Sequence, residues 1–269
     1  MVKSLIKKFG RRLKKVFNLP VMQVLPGSLA FYFVLSIIPI ISLVGLLGSL
    51  FSLSVDNFID FINNSFPPAT SNLIIPIIEG KGFDFGVLVF IISAFLLASN
   101  GTHTIIVISN MLYNLKNSNY LRTRIKAILL AFMIVFLLGF ILIVPVFGDS
   151  ILTIINNSNI FKQFSDEILL IYRILEIPLS FLFIYFIIKL IYTIAPEKQI
   201  KSKDATYGAL FTTTSWMIAT KIYSYYVSVF AKYDIFYGSI ANLIILLIWI
   251  YLLSFIFVIG LALNAIRDK

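Results

Sequence analysis

The chain has 269 residues, 59% of them hydrophobic and 13% charged, with a mean hydropathy of +0.98 and a formal net charge of +10. A soluble domain carries about 25% charged residues, so this composition argues against a water-soluble fold and for one solvated by lipid. Cysteine is absent and histidine occurs once, which excludes disulfides, thiolate metal sites and His-rich zinc or iron centres; no cofactor is expected.

The first 20 residues predict a basic amphipathic helix. Val2, Leu5, Ile6, Phe9, Leu13, Val16 and Phe17 recur at three- and four-residue steps, and Lys and Arg fill the gaps. Such a helix lies on an anionic leaflet, which makes anionic lipid headgroups its expected partner. It also serves as an anchor that sets topology, and both readings stay open.

Residues 21–269 then predict six transmembrane helices, over approximately 28–53, 85–108, 125–147, 168–194, 205–231 and 240–266. A hydrocarbon core about 30 Å thick needs about 20 residues at about 1.5 Å rise each. Helices are required because backbone groups in lipid need internal partners, and the alternation of a membrane barrel strand is absent. The fold class is therefore an all-α polytopic membrane protein. Two connections, 54–84 with VDNFIDFINN and 148–167 with SILTIINN, read as short amphipathic helices on the interface.

Within the spans, polar residues stand out. The second span carries Ser99, Asn100, Gly101, Thr102, His103 and Thr104 in the run FLLASNGTHTIIV. Small and hydroxyl residues permit close helix packing; a broken helix lining a polar cavity is the other reading. In span four, Arg173 and Glu176 are three apart and share a face. In span five, Lys221 lies at a similar depth, near Tyr223. Together these residues predict a net-positive pocket, with Asn100, Thr102 and His103 at its inward end. An internal ion pair plus a snorkelling lysine accounts for the same charges. Pro39, Pro145 and Pro178 are candidate kinks.

Orientation follows from the basic residues. Residues 1–20, the 116–126 region, the 198–203 loop and the C-terminus hold 16 of the 22 Lys and Arg. The opposite side holds Lys81, Lys162 and Lys232 against eight acids. The positive-inside rule then places both termini in the cytoplasm. The same asymmetry accounts for the +10 charge, so nucleic acid is not an expected partner. No phosphate-binding loop or nucleophile-elbow motif occurs, and no enzymatic activity is expected. Oligomeric state is left open.

Since the native chain lacks cysteine, single cysteines report topology cleanly. At Ser118 and Ser202 they are expected to react with an impermeant reagent only from the cytoplasm, and at Ser71 and Ser158 only from outside. Reversed access at any one position rules out six crossings in this orientation.

Several motifs taken together carry a family resemblance. Ala30 to Pro39 reads AFYFVLSIIP, Tyr237-Gly238-Ser239 precedes Trp249 and Tyr251, and Gly260, Leu263 and Asn264 close the last span. Asn110 and Arg122 flank the basic loop and Pro196 follows span four. This set resembles the YihY/BrkB family of bacterial inner-membrane proteins. The resemblance implies an inner-membrane location and a link to serum resistance and envelope lipid export. It also implies an arginine where Asn100 stands and an acid where Ala262 stands. An older family label, ribonuclease BN, fits poorly, because the cytoplasmic loops offer Glu197, Asp204 and Asp268 without a histidine partner. The expected function is transport or flipping of an anionic lipid or amphiphilic envelope precursor; a non-transporting scaffold or assembly factor is the alternative.

Overall fold

A computed structural model describes residues 2–36, 59, 85–116, 119–135, 165–230 and 239–267. Every regular element among them is helical. They are α1 (Val2–Phe17), a 3-10 turn (Pro20–Gln23), α2 (Leu25–Ser36), α3 (Phe85–Leu112), α4 (residues 120–135), α5 (Ser165–Ile194), α6 (Ser202–Phe230) and α7 (Ser239–Arg267). The expected interfacial helices at VDNFIDFINN and SILTIINN, together with Pro39, Pro145, Tyr237 and Gly238, lie outside the described residues.

The all-helical class is what the sequence predicts. Among the described residues, two stretches, Phe95–Leu112 in α3 and Ile244–Ile266 in α7, are long and apolar enough to cross a membrane. Large apolar side chains point outward all round the bundle: Phe31 of α2 is 60% exposed, Phe132 of α4 57% and Ile222 of α6 63%. A soluble monomer rarely leaves such a surface bare. A lipid-facing one leaves it so without cost, because the acyl chains are as apolar as the side chains.

Among the described residues, the helices of the second half pack most closely. α6 packs between α5 and α7, and α7 also meets α1 and α3. The core is built from Ile188, Tyr192, Ala205, Ala209, Phe257, Leu261 and Leu263, with Ile105, Ile106 and Leu130 from the first half. The α6–α7 crossing is close because small residues face each other. A Cβ on Gly208 would collide with the Gly260 carbonyl, and one on Gly260 would collide with the Thr212 hydroxyl. No residue but glycine fits either position without moving a helix.

α1 is docked rather than loose at its C-terminal end. Val16 is fully buried, and the Phe17 ring lies 5.9 Å from Phe255 of α7. Lys14 and Lys15 occupy its last turn, where cations suit the exposed carbonyls. Pro178 lies inside α5, which continues through it. α3 ends in a Schellman turn: Leu115 N–H donates to Asn110 O, Asn114 N–H donates to Met111 O, and Asn114 takes a left-handed φ of 53°. The start of α4 lies beside α3, with the Tyr120 ring 6.1 Å from the His103 ring.

Candidate functional site

Polar contacts gather where α3 ends, α4 begins and the α5–α6 connection passes. Asn110, fully buried, accepts a hydrogen bond on Oδ1 from the Glu197 backbone N–H at 2.9 Å. Lys126 sends its ammonium across to the end of α5, donating to Ala195 O at 3.0 Å and Pro196 O at 2.8 Å. Both carbonyls lack helical partners, so a cation there satisfies groups that an apolar setting would leave stranded. Arg122, Lys126 and Lys198 border an open cleft of about 470 Å³ between α4 and this connection.

A second cluster joins α3 to its neighbours. Arg124 of α4 donates from one guanidinium nitrogen to Asn100 Oδ1 at 2.8 Å and from the other to Leu96 O at 3.0 Å. The resemblance implies an arginine where Asn100 stands; here the guanidinium reaches the same spot from the next helix. Thr102 donates to Ala127 O at 2.6 Å, and the Ser99 and Thr104 hydroxyls turn back to Leu96 O and Asn100 O in their own helix. A Cβ on Gly101 would come within 3.0 Å of Ser36 Oγ. The His103 ring is 6.1 Å from the Tyr120 ring. The polar run in FLLASNGTHTIIV therefore sits where α2, α3 and α4 come together.

A third cluster ties α5, α6 and α7. The buried Tyr192 hydroxyl donates to Phe257 O at 2.6 Å and lies 2.8 Å from Thr212 Oγ1. Asn264 accepts from Gly208 N–H at 2.7 Å and donates to Ala205 O at 3.2 Å. Ala262, where the resemblance implies an acid, is wholly buried in this packing.

Lys221 and Tyr223 are placed apart from these clusters. Arg173 and Glu176 belong to α5, and their side chains lie outside the described set. Lys221 is exposed on the outward face of α6, between Ile218 and Ile222, which are also exposed. Tyr223 stacks on Trp249 at 5.0 Å and 22°. The Trp249 indole N–H is buried without a hydrogen-bond partner among the described residues, as are the Thr213 and Ser254 hydroxyls. Sequence reasoning counted Arg124 and Lys126 only as topology charges and did not single out Gly208, Tyr192 or Thr212.

Among the described residues, all-helical elements with large apolar side chains left exposed on α2, α4 and α6 mark a membrane protein by class. The family described as Virulence factor BrkB matches residues 15–269, and the chain belongs to that family. Among its relatives, the Bacillus subtilis (strain 168) protein YfkH, which carries a ribonuclease-like name, is 31% identical over 90% of this chain and 89% of its own length. The UPF0761 membrane protein NTHI0384 of Haemophilus influenzae (strain 86-028NP) is 25% identical over 98% of this chain and 96% of its own. The UPF0761 membrane protein PM1616 of Pasteurella multocida (strain Pm70) is 28% identical over 81% and 66%. No solved structure matches the chain.

Proposed function

We propose that the chain crosses the bacterial inner membrane six times, with both termini in the cytoplasm, and moves an anionic lipid or amphiphilic envelope precursor between leaflets. The observation that carries this reading is Arg124. Its guanidinium is half-buried against α3 and bonded to Asn100 and Leu96 O. It stands at the cytoplasmic entrance of the third span, where a cation reaching into the bundle can meet the headgroup of an anionic lipid as it enters the path. A static contact at Asn100 needs only a neutral donor. The reading includes no nucleolytic chemistry, since the charged groups at this end are mainly cationic and a metal-dependent nuclease needs acidic and histidine ligands.

The test is translocation of a labelled anionic lipid in vesicles containing the full chain. Arg124→Gln keeps a donor for Asn100 and is expected to slow translocation about tenfold, the rate equivalent of about 1.4 kcal/mol, with the melting temperature little changed. An unaltered rate would refute the role of Arg124. A scaffold or assembly role is favoured by a different observation: the hydroxyls of Ser99, Thr102 and Thr104 are all bonded to helix carbonyls, as a sealed contact requires. Background translocation by the folded wild-type chain would leave the scaffold standing.

A further inference from the structure

The cleft beside α4 has the make-up of an amphiphile site. Arg122, Lys126 and Leu129 lie four and then three residues apart, so they line one face of α4. The two cations occupy the end of that face near the loop, and Leu129, 60% exposed, lies two turns along α4 from Arg122, with Ile194 of α5 also lining the cleft. Lys198 comes in from the loop, and Glu197 is the acid in this wall. Three cations against one acid leave the wall net positive. Arg122 and Lys198 are exposed at the mouth, and Lys126 is half-buried and bonded to the Ala195 and Pro196 carbonyls. The volume of about 470 Å³ falls in the range of small-molecule sites, about 300–1,000 Å³.

We propose that this cleft binds the phosphate of an anionic lipid, with the phosphate between Arg122 and Lys198 and the start of the acyl tail along Leu129 and Ile194. The proposal rests on the membrane orientation proposed above, which puts the mouth at the cytoplasmic headgroup level. A guanidinium presents two parallel N–H donors that match phosphate oxygens, and an ammonium adds a point charge. The apolar wall selects a phosphate carried on a tail over a free one.

The experiment uses the full chain in phosphatidylcholine nanodiscs, titrated with fluorescent phosphatidylglycerol. The double variant Arg122→Gln, Lys198→Gln is expected to bind about tenfold more weakly, since each cation near a headgroup contributes appreciably. Lys203→Gln, also basic and exposed but outside the cleft, is expected to bind as the wild type does. Leu129→Trp, which fills the tail groove and spares the cations, is expected to weaken binding without changing its salt dependence. Undiminished binding by both the double variant and Leu129→Trp overturns the site. Competition by glycerol 3-phosphate as effective as that by the lipid overturns the tail contact and assigns the cleft to a soluble phosphate ester. The vesicle assay separates this site from the transport reading. Lipid binding by the wild type with no translocation keeps the cleft and rejects transport. Translocation by a wild type whose binding ignores all three changes rejects the cleft and keeps transport.

Discussion

Replacing Gly208 or Gly260 by alanine is expected to destabilise the folded chain by about 3 kcal/mol, the upper part of the range for overpacked cores. The reason is geometric. The added methyl group on Gly208 would overlap the Gly260 carbonyl, and the one on Gly260 would overlap the Thr212 hydroxyl and crowd the Tyr192 hydroxyl. The Gly260 carbonyl is backbone, and a Cβ on Gly260 would also come within 2.9 Å of the Gly208 carbonyl, so turning the Thr212 side chain aside is not enough. α6 and α7 must separate, and the Asn264 bonds to Gly208 and Ala205 must stretch with them. Gly10→Ala is the matched control. Nothing lies within 4 Å of its position in α1, and alanine there gains helix propensity of up to about 1 kcal/mol. Thermal melting in detergent, read by size-exclusion of the surviving fold, is expected to show a large loss for the first two and none for the third. Normal melting of Gly260→Ala would disprove the close crossing.

Tyr192→Ala is expected to cost about 4 kcal/mol, as deletion of a wholly buried aromatic ring does. The ring packs edge-on to Phe257 at 4.8 Å, and its hydroxyl holds α7 through Phe257 O and α6 through Thr212. Tyr192→Phe separates the two contributions. It keeps the ring and removes the hydroxyl, for an expected cost of about 1 kcal/mol. Denaturant unfolding of the three chains measures both. Equal losses for the phenylalanine and alanine variants would show that the hydrogen bonds, not the packing, dominate this joint.

The helical class was legible because uncharged length is a coarse, robust signal. The segments expected at 168–194, 205–231 and 240–266 compare with Ser165–Ile194, Ser202–Phe230 and Ser239–Arg267. α3 runs four residues beyond its expected end, to Leu112. Asn114 was the available sign, since asparagine tolerates the left-handed turn that closes a helix. Which faces meet was not legible. α7 is apolar nearly all round and the charges of α5 form no continuous stripe, so polarity does not reveal the face that packs inward. Gly208 and Tyr192 acquire their roles only from the register of α6 against its neighbours. Asn110, Gly260 and Asn264 were reachable through family resemblance, and the structure supplies the contacts behind it. Arg124 and Lys126 were visible as charges, but their reach across to another helix depends on an approach that sequence spacing does not encode.

The Lys126 clip has an electrostatic consequence for the wall it belongs to. The end of α5 presents the negative pole of a peptide dipole equivalent to about half an elementary charge, a poor neighbour for any anion. An ammonium fixed across Ala195 O and Pro196 O offsets that pole at its source. An anion approaching between Arg122 and Lys198 therefore meets a field from which the repulsion of the helix end has largely been cancelled.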